Sequence, residues 1–197
     1  MIILYLHGFR SIANSGKTQT LKGMFPEHRV IGCDYSPHSP VRAKQQLSDL
    51  MAAESLLPES LIPEAQDGIV VIGTSLGGFW ARWMAKEFKL KALLINPSLH
   101  PDRSLKAGRY EVYDASHTMI DVTDNDLEAF NSSKVDSDSA IALSATVWVA
   151  MDDELLDAMA IVSELNDLHD VITFKTGRHR FAQFAEMKSE IKYFIDN

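Results

Sequence analysis

Short apolar runs rich in β-branched residues recur along the chain at 2–6, 29–33, 69–72, 92–95, 146–151 and 171–174, each closed by glycine, proline or polar turn residues. Runs of that length and make-up predict about six buried strands. Between them, residues 40–57, 76–88, 155–168 and 181–195 carry apolar positions at helical spacing. Strands that alternate with helices predict a mainly parallel sheet covered on both faces, an α/β three-layer αβα sandwich.

The rhythm breaks once. Residues 98–140 show no clear strand and gather Asp121, Asp124, Asp126, Ser132, Ser133, Asp136 and Asp138, which predicts a small inserted lid within a single domain spanning 1–197. Thr123 followed by Asp126 reads as a capping box that starts a short helix through Leu127 and Phe130. The acidic cluster lacks the central glycine and distant glutamate of an EF-hand loop, so it reads as a solvated helix start.

Composition narrows the function. With 27 acidic against 19 basic residues and a net charge of −8, the chain has no basic patch to meet phosphate, so neither nucleic acid nor a membrane surface is an expected partner. Small-molecule chemistry is the expectation, and the oligomeric state is left open. The single cysteine, Cys33, lies in an apolar run and reads as a buried thiol. No targeting segment reads before the first strand and no apolar run reaches about 18 residues, so a cytoplasmic protein is expected.

The run at 69–72 leads straight into GTSLGG, residues 73–78, and then into a helix with Leu76, Phe79, Trp80 and Trp83 on its buried face. This is G-x-S-x-G in its required setting of strand, sharp turn and helix. The turn lifts the Ser75 hydroxyl clear of the sheet, and Gly73 and Gly77 remove side chains that would collide there. The Leu76 N–H, at the helix start, points where an acyl oxyanion would form.

An elbow serine needs a base and an acid, in the chain order serine, acid, histidine. MDDELLD, residues 151–157, follows the fifth predicted strand, and TGRHRF, residues 176–181, follows the sixth. Of the seven histidines, His179 occupies the loop where the base belongs. His28 and His169 fall at the opposite sheet end, His100 and His117 in the insertion, and His38 in the loop after the second strand, which topology does not exclude. His7 and Gly8 end the first strand and suit a turn that aims backbone N–H groups at an oxyanion.

Gly16, Lys17 and Thr18 imitate the end of a P-loop, but the position five before Gly16 is Ser11, where the cradle requires glycine. Asn14 or Ser15 reads instead as a helix cap, with Lys17 and Thr18 in the first exposed turn.

With HGF, GTSLGG, INPSLHP, DDELLD and GRHRF in this order over nearly the whole length, the chain resembles the YqiA/YcfP family of small bacterial α/β-hydrolase esterases. The resemblance implies an α/β-hydrolase fold trimmed of its first two strands, with the sheet ordered second, first, third, fourth, fifth, sixth. It implies Ser75 as nucleophile, Asp153 as acid and His179 as base, with the Phe9 and Leu76 N–H groups as oxyanion donors. It also implies a small acyl ester or thioester substrate and no metal or organic cofactor. Asp153 fits the spacing D-x-hydrophobic-hydrophobic, in which Leu155 and Leu156 turn back into the core, although Asp152 stands next to it.

Two functions are thus in view: a serine hydrolase acting on short-chain acyl esters or thioesters, and a non-catalytic protein of the same fold that binds a ligand or partner. Tyr113 and Phe130 of the insertion are expected to wall the substrate pocket. The missing P-loop glycine predicts no magnesium-dependent affinity for ATP. Micromolar ATP binding abolished by Lys17→Ala, measured by equilibrium dialysis, is the result that reverses this reading of residues 7–21.

Overall fold

Local apolar pattern dictates the strands, and the strands pair as their burial demands. The computed structural model describes residues 1–53, 68–135 and 144–197. In chain order its elements are β1 (Ile2–Leu6), α1 (Gly16–Met24), β2 (Arg29–Gly32), α2 (Pro40–Ala53), β3 (Ile69–Thr74), α3 (Leu76–Phe88), β4 (Lys91–Ile95) and α4 (Pro101–Ser104). Then come β5 (Gly108–Glu111), β6 (Met119–Val122), α5 (Asp124–Asn131), β7 (Ala145–Ala150), α6 (Ala158–Leu165), β8 (Asp170–Phe174), a 3₁₀ turn (Ala182–Glu186) and α7 (Lys188–Asp196). The tails of two predicted segments, 54–57 of the second helix and 136–140 of the insertion with Asp136 and Asp138, lie outside the described residues.

Six strands form one sheet in the order β2-β1-β3-β4-β7-β8, the predicted order, and every neighbouring pair is parallel. Alternate residues on each strand feed opposite layers. Leu4, Leu6, Val71, Leu94, Val147 and Val149 pack on the side of α2, α3, α5 and α6. Ile3, Tyr5, Val70, Ile72, Leu93, Ile95 and Trp148 pack on the side of α1, the 3₁₀ turn and α7. The central strand β3 is buried at every position, as a strand covered on both faces must be.

Four details differ from the expectation. First, the insertion holds the antiparallel pair β5 and β6. Two four-residue strands are marginal alone; this pair is anchored by the Tyr113 N–H donating to Arg10 O at 2.7 Å, by Arg10 Nε donating to Glu111 O, and by Phe9 edge-on to Tyr110. That support is tertiary, so periodicity does not reveal it. Second, α6 starts at Ala158 rather than 155, because Asp157 caps it by accepting from the Ala160 N–H, and Leu155 is left 69 % exposed instead of in the core. Third, the last helix is split at Met187 into a 3₁₀ turn and α7. Fourth, Thr18 is buried, donating its hydroxyl to Ala13 O at 2.7 Å, while Ser15 is the cap of α1. The Thr123–Asp126 capping box forms as read. Among the described residues no helix is long and apolar enough to cross a membrane.

The start of α3 is seated directly on the ends of β1 and β3. A Cβ on Gly77 would lie 2.1 Å from Leu6 O, and one on Gly73 would lie 2.1 Å from Gly77 O. Gly23 in α1, by contrast, has open space where a Cβ would sit. Gly77→Ala is therefore expected to lose about 3 kcal/mol or more of stability, and Gly23→Ala to gain about 0.5–1 kcal/mol. Urea unfolding of the two variants checks the contrast; equal midpoints would contradict it.

Candidate active site

Ser75 is the residue between β3 and α3, and its backbone is held at φ 58°, ψ −123°. A non-glycine residue adopts so unfavourable a conformation only where its surroundings over-determine it. Here the Ser75 N–H donates to Ile95 O at 3.0 Å, and Ser75 O accepts from the N–H groups of Gly78 at 2.8 Å and Ser98 at 3.0 Å. The strand-to-helix turn is thus pinned from β4 and from the segment that follows it.

The loop after β8 brings His179 to this serine. His179 Nε2 is 2.8 Å from Ser75 Oγ, and His179 Nδ1 is 2.9 Å from Asp153 Oδ2. The Asp153 side chain is fully shielded from solvent and that of His179 is 14 % exposed. Burial pushes the Asp153 carboxyl up, but the hydrogen bonds from His179 and from the Leu156 and Leu155 N–H groups outweigh it and hold the carboxyl below its ordinary value. An ionised Asp153 keeps the proton on Nδ1 and leaves Nε2 free to accept one from Ser75.

Each neighbouring acid has a different task. Asp152 Oδ1 accepts from the Arg178 N–H at 2.7 Å, and Glu154 Oε2 accepts from the His179 N–H at 3.0 Å. Asp157 caps α6. So Asp152 and Glu154 hold the backbone of the histidine loop, while Asp153 meets the ring.

Asn96 is the residue that sequence reasoning missed. It is completely buried at the end of β4, with φ 42°. Its Nδ2 donates to Arg178 O at 2.9 Å and His179 O at 3.1 Å, while its Oδ1 accepts from the Ala150 N–H at 2.8 Å. One amide therefore ties β4, the end of β7 and the histidine loop together. The available signal was the asparagine of INPS just after a strand, since asparagine tolerates a left-handed backbone and carries both donor and acceptor.

The remaining residues sort by position. Gly8 faces the serine, for a Cβ there would lie 3.3 Å from Ser75 Cβ. Phe9 and Leu76 both line the cavity around Ser75, and Leu76, as first residue of α3, has no acceptor for its N–H inside the helix. His7 is buried, its Nδ1 donates to Gly8 O at 3.0 Å, and burial lowers its pKa, so it serves the turn as a neutral ring. His38 is buried beside the insertion and does not line the cavity. Cys33 is buried, and that burial pushes its thiol up to about 12, far from a nucleophile's range.

The cavity measures about 1150 Å³. Tyr110 and Tyr113 line it, but Phe130 does not. Phe130 is fully buried with its ring against Phe79 and Trp80, so it fastens the insertion to α3 instead of walling the pocket. Its apolar face finds that aromatic cluster because α5 lies over the helical layer. Among the described residues no group of three or more histidine, cysteine, aspartate or glutamate side chains is placed to hold a metal ion.

Comparison with solved structures places the fold among α/β hydrolases. The esterase Est1E from Butyrivibrio proteoclasticus, solved with ferulic acid bound, superposes with a TM-score of 0.74 at 13 % identity, covering 98 % of this chain and 87 % of that one. Mouse alpha/beta hydrolase domain-containing protein 10 gives 0.66 at 15 %, covering 99 % and 89 %, and polyneuridine aldehyde esterase gives 0.60 at 14 %, covering 99 % and 98 %. In sequence, a UPF0227 protein from Shewanella loihica is 28 % identical over 197 residues, covering 98 % of each chain. A UPF0227 protein from Vibrio vulnificus is 25 % identical over 196 residues, covering 100 % of this chain and 99 % of the other. A family model described as an uncharacterised protein family, UPF0227, matches residues 2–196.

Asn96→Ala is expected to strip the buried Ala150 N–H of its partner, to remove one donor from each of Arg178 O and His179 O, and to cost about 2–4 kcal/mol. Urea unfolding and faster hydrogen exchange of the Ala150 amide report it. Unchanged stability together with unchanged exchange contradicts the assigned role.

Proposed function

The chain belongs to the UPF0227 family, which includes the YqiA/YcfP group, and on that premise we propose that it is a serine hydrolase that cleaves short-chain carboxylic esters or thioesters. One observation carries the reading: an unbroken hydrogen-bonded line from Asp153 through His179 to Ser75 in the wall of a cavity. The esterases among its structural neighbours lend support at the level of the fold.

In this mechanism Nε2 of His179 takes the Ser75 hydroxyl proton as Oγ attacks the acyl carbonyl carbon. The carbonyl oxygen gains negative charge and is met by the N–H groups of Phe9 and Leu76. Collapse breaks the bond to the alcohol or thiol, which leaves with the proton from His179. Water then gives a proton to the same nitrogen and its oxygen to the acyl carbon, and Oγ departs with the proton restored. Asp153 stays ionised throughout, holding the ring and balancing the imidazolium charge. The chemistry uses side chains and backbone alone.

A fluorophosphonate probe is expected to label Ser75 stoichiometrically and to leave Ser75→Ala unlabelled. Of Asp152→Asn, Asp153→Asn and Asp157→Asn, only the second removes the partner of the ring. Its turnover of 4-nitrophenyl butyrate is expected to fall by about 10⁴-fold, against about tenfold or less for the other two, which touch backbone only. A folded protein whose serine stays inert to the probe favours a binding protein of the same fold, and a crippled Asp152→Asn beside an active Asp153→Asn moves the acid by one residue.

A further inference from the structure

The cavity around Ser75 is cationic in an acidic protein. Arg10, Lys17, Lys106 and Arg180 line it, and no aspartate or glutamate does among the described residues. Yet the chain carries 27 acidic residues against 19 basic ones. None of the four forms an ion pair among the described residues. Carboxylates close by are engaged elsewhere: Glu154 with Arg178 and the His179 N–H, Asp153 with the His179 ring.

Three of the four cations, Lys17, Arg10 and Arg180, are held by contacts other than counter-charges. Lys17 Nζ donates to Arg180 O at 2.6 Å. The Arg10 guanidinium carbon lies 4.3 Å from the Tyr113 ring centroid and that of Arg180 lies 5.7 Å from it, so two guanidiniums converge on one ring. Arg10 directly follows Phe9, and Arg180 directly follows His179, so each charge is one residue along the chain from a residue that lines the cavity with Ser75. Burial, and then the like charge of Arg180, bring Lys17 down to about 8. Arg10 and Lys17 are half-buried and Lys106 and Arg180 exposed, and like charges gathered around one cavity without a carboxylate repel one another, a repulsion that a bound anion relieves. Gly16 and Lys17 of the segment whose likeness to a P-loop ends at Ser11 thereby acquire a place at the pocket wall.

We propose that this pocket selects esters or thioesters that carry an anionic group, a carboxylate or a phosphate, which Arg10, Lys17, Lys106 and Arg180 bind while the acyl carbonyl meets Ser75. The inference rests on the serine-hydrolase reading for its chemistry. It adds what that reading lacks, the charge class of the substrate.

Matched esters test it. On the leaving-group side, 4-(carboxymethyl)phenyl butyrate and 4-(phosphonomethyl)phenyl butyrate are compared with the neutral 4-(carbamoylmethyl)phenyl butyrate. On the acyl side, 4-nitrophenyl hemiglutarate is compared with 4-nitrophenyl valerate. At least one anionic ester is expected to exceed its neutral partner about tenfold or more in kcat/KM, and the pair that responds identifies the side and kind of anion. That preference is expected to shrink in high salt and to fall at least about fivefold in Lys17→Met/Arg180→Met. Ser75→Ala protein reads the pocket without turnover, and equilibrium dialysis is expected to give tighter binding of the carboxylate or phosphonate ester than of the amide. Equal kcat/KM within every pair, or a preference that survives in the double variant, overturns the inference. If no ester is hydrolysed and the fluorophosphonate leaves Ser75 unlabelled, the hydrolase reading fails, and the dialysis comparison still decides the anion preference.

Discussion

The site depends on the close approach of the first turn of α3 to the ends of the central strands. Gly73, Gly77 and Gly78 leave so little room that a single added carbon would overlap Gly77 O, Leu6 O or Pro97 respectively. This contact brings the helix start down onto the sheet and holds Ser75 in its unfavourable positive-φ conformation. It also sets the Leu76 N–H beside the serine and the His-Gly turn of β1 across from it. Remove the contact and the serine becomes an ordinary turn residue, with neither a fixed hydroxyl nor neighbouring donors.

Much of this was legible along the chain because the signals are local. The six strands follow from apolar runs, and their order follows the family resemblance. Ser75 follows from a strand, a glycine-framed serine and a helix; His179 follows from its loop after the last strand, and Asp153, among the acids crowded after the strand before it, from the family resemblance and the D-E-L-L-D spacing. What stayed hidden depends on distant partners. The β5–β6 pair is held by Arg10, about a hundred residues earlier in sequence. Asn96 owes its importance to three backbone groups, one at the end of β7 and two on the histidine loop. Phe130 looked available for a pocket because nothing in its own segment announces the aromatic cluster of α3 that receives it.

Charge is organised at the same fine scale. Within MDDELLD, one carboxylate meets the imidazole, two hold the backbone that carries it and a fourth starts a helix. A sequence rich in acids thereby spends those nearest the serine on positioning, and the cavity wall is left to cations. Overall charge gives no hint of this, since a net of −8 describes the far field while the pocket's own lining sets the near one.

Arg10 joins two parts of the molecule that are usually thought of separately. Its carbonyl and its guanidinium both bond the β5–β6 hairpin, while its own backbone, at φ 61°, continues directly from Phe9. The roof of the cavity and the turn beside Ser75 are therefore one mechanical unit. For the proposed hydrolase this implies that a substrate bulky enough to push the hairpin aside would also drag on the turn, so that steric discrimination would reach the speed of the bond-breaking step as well as the strength of binding. In such an arrangement, broadening the range of accepted substrates by loosening the roof carries an intrinsic penalty in rate.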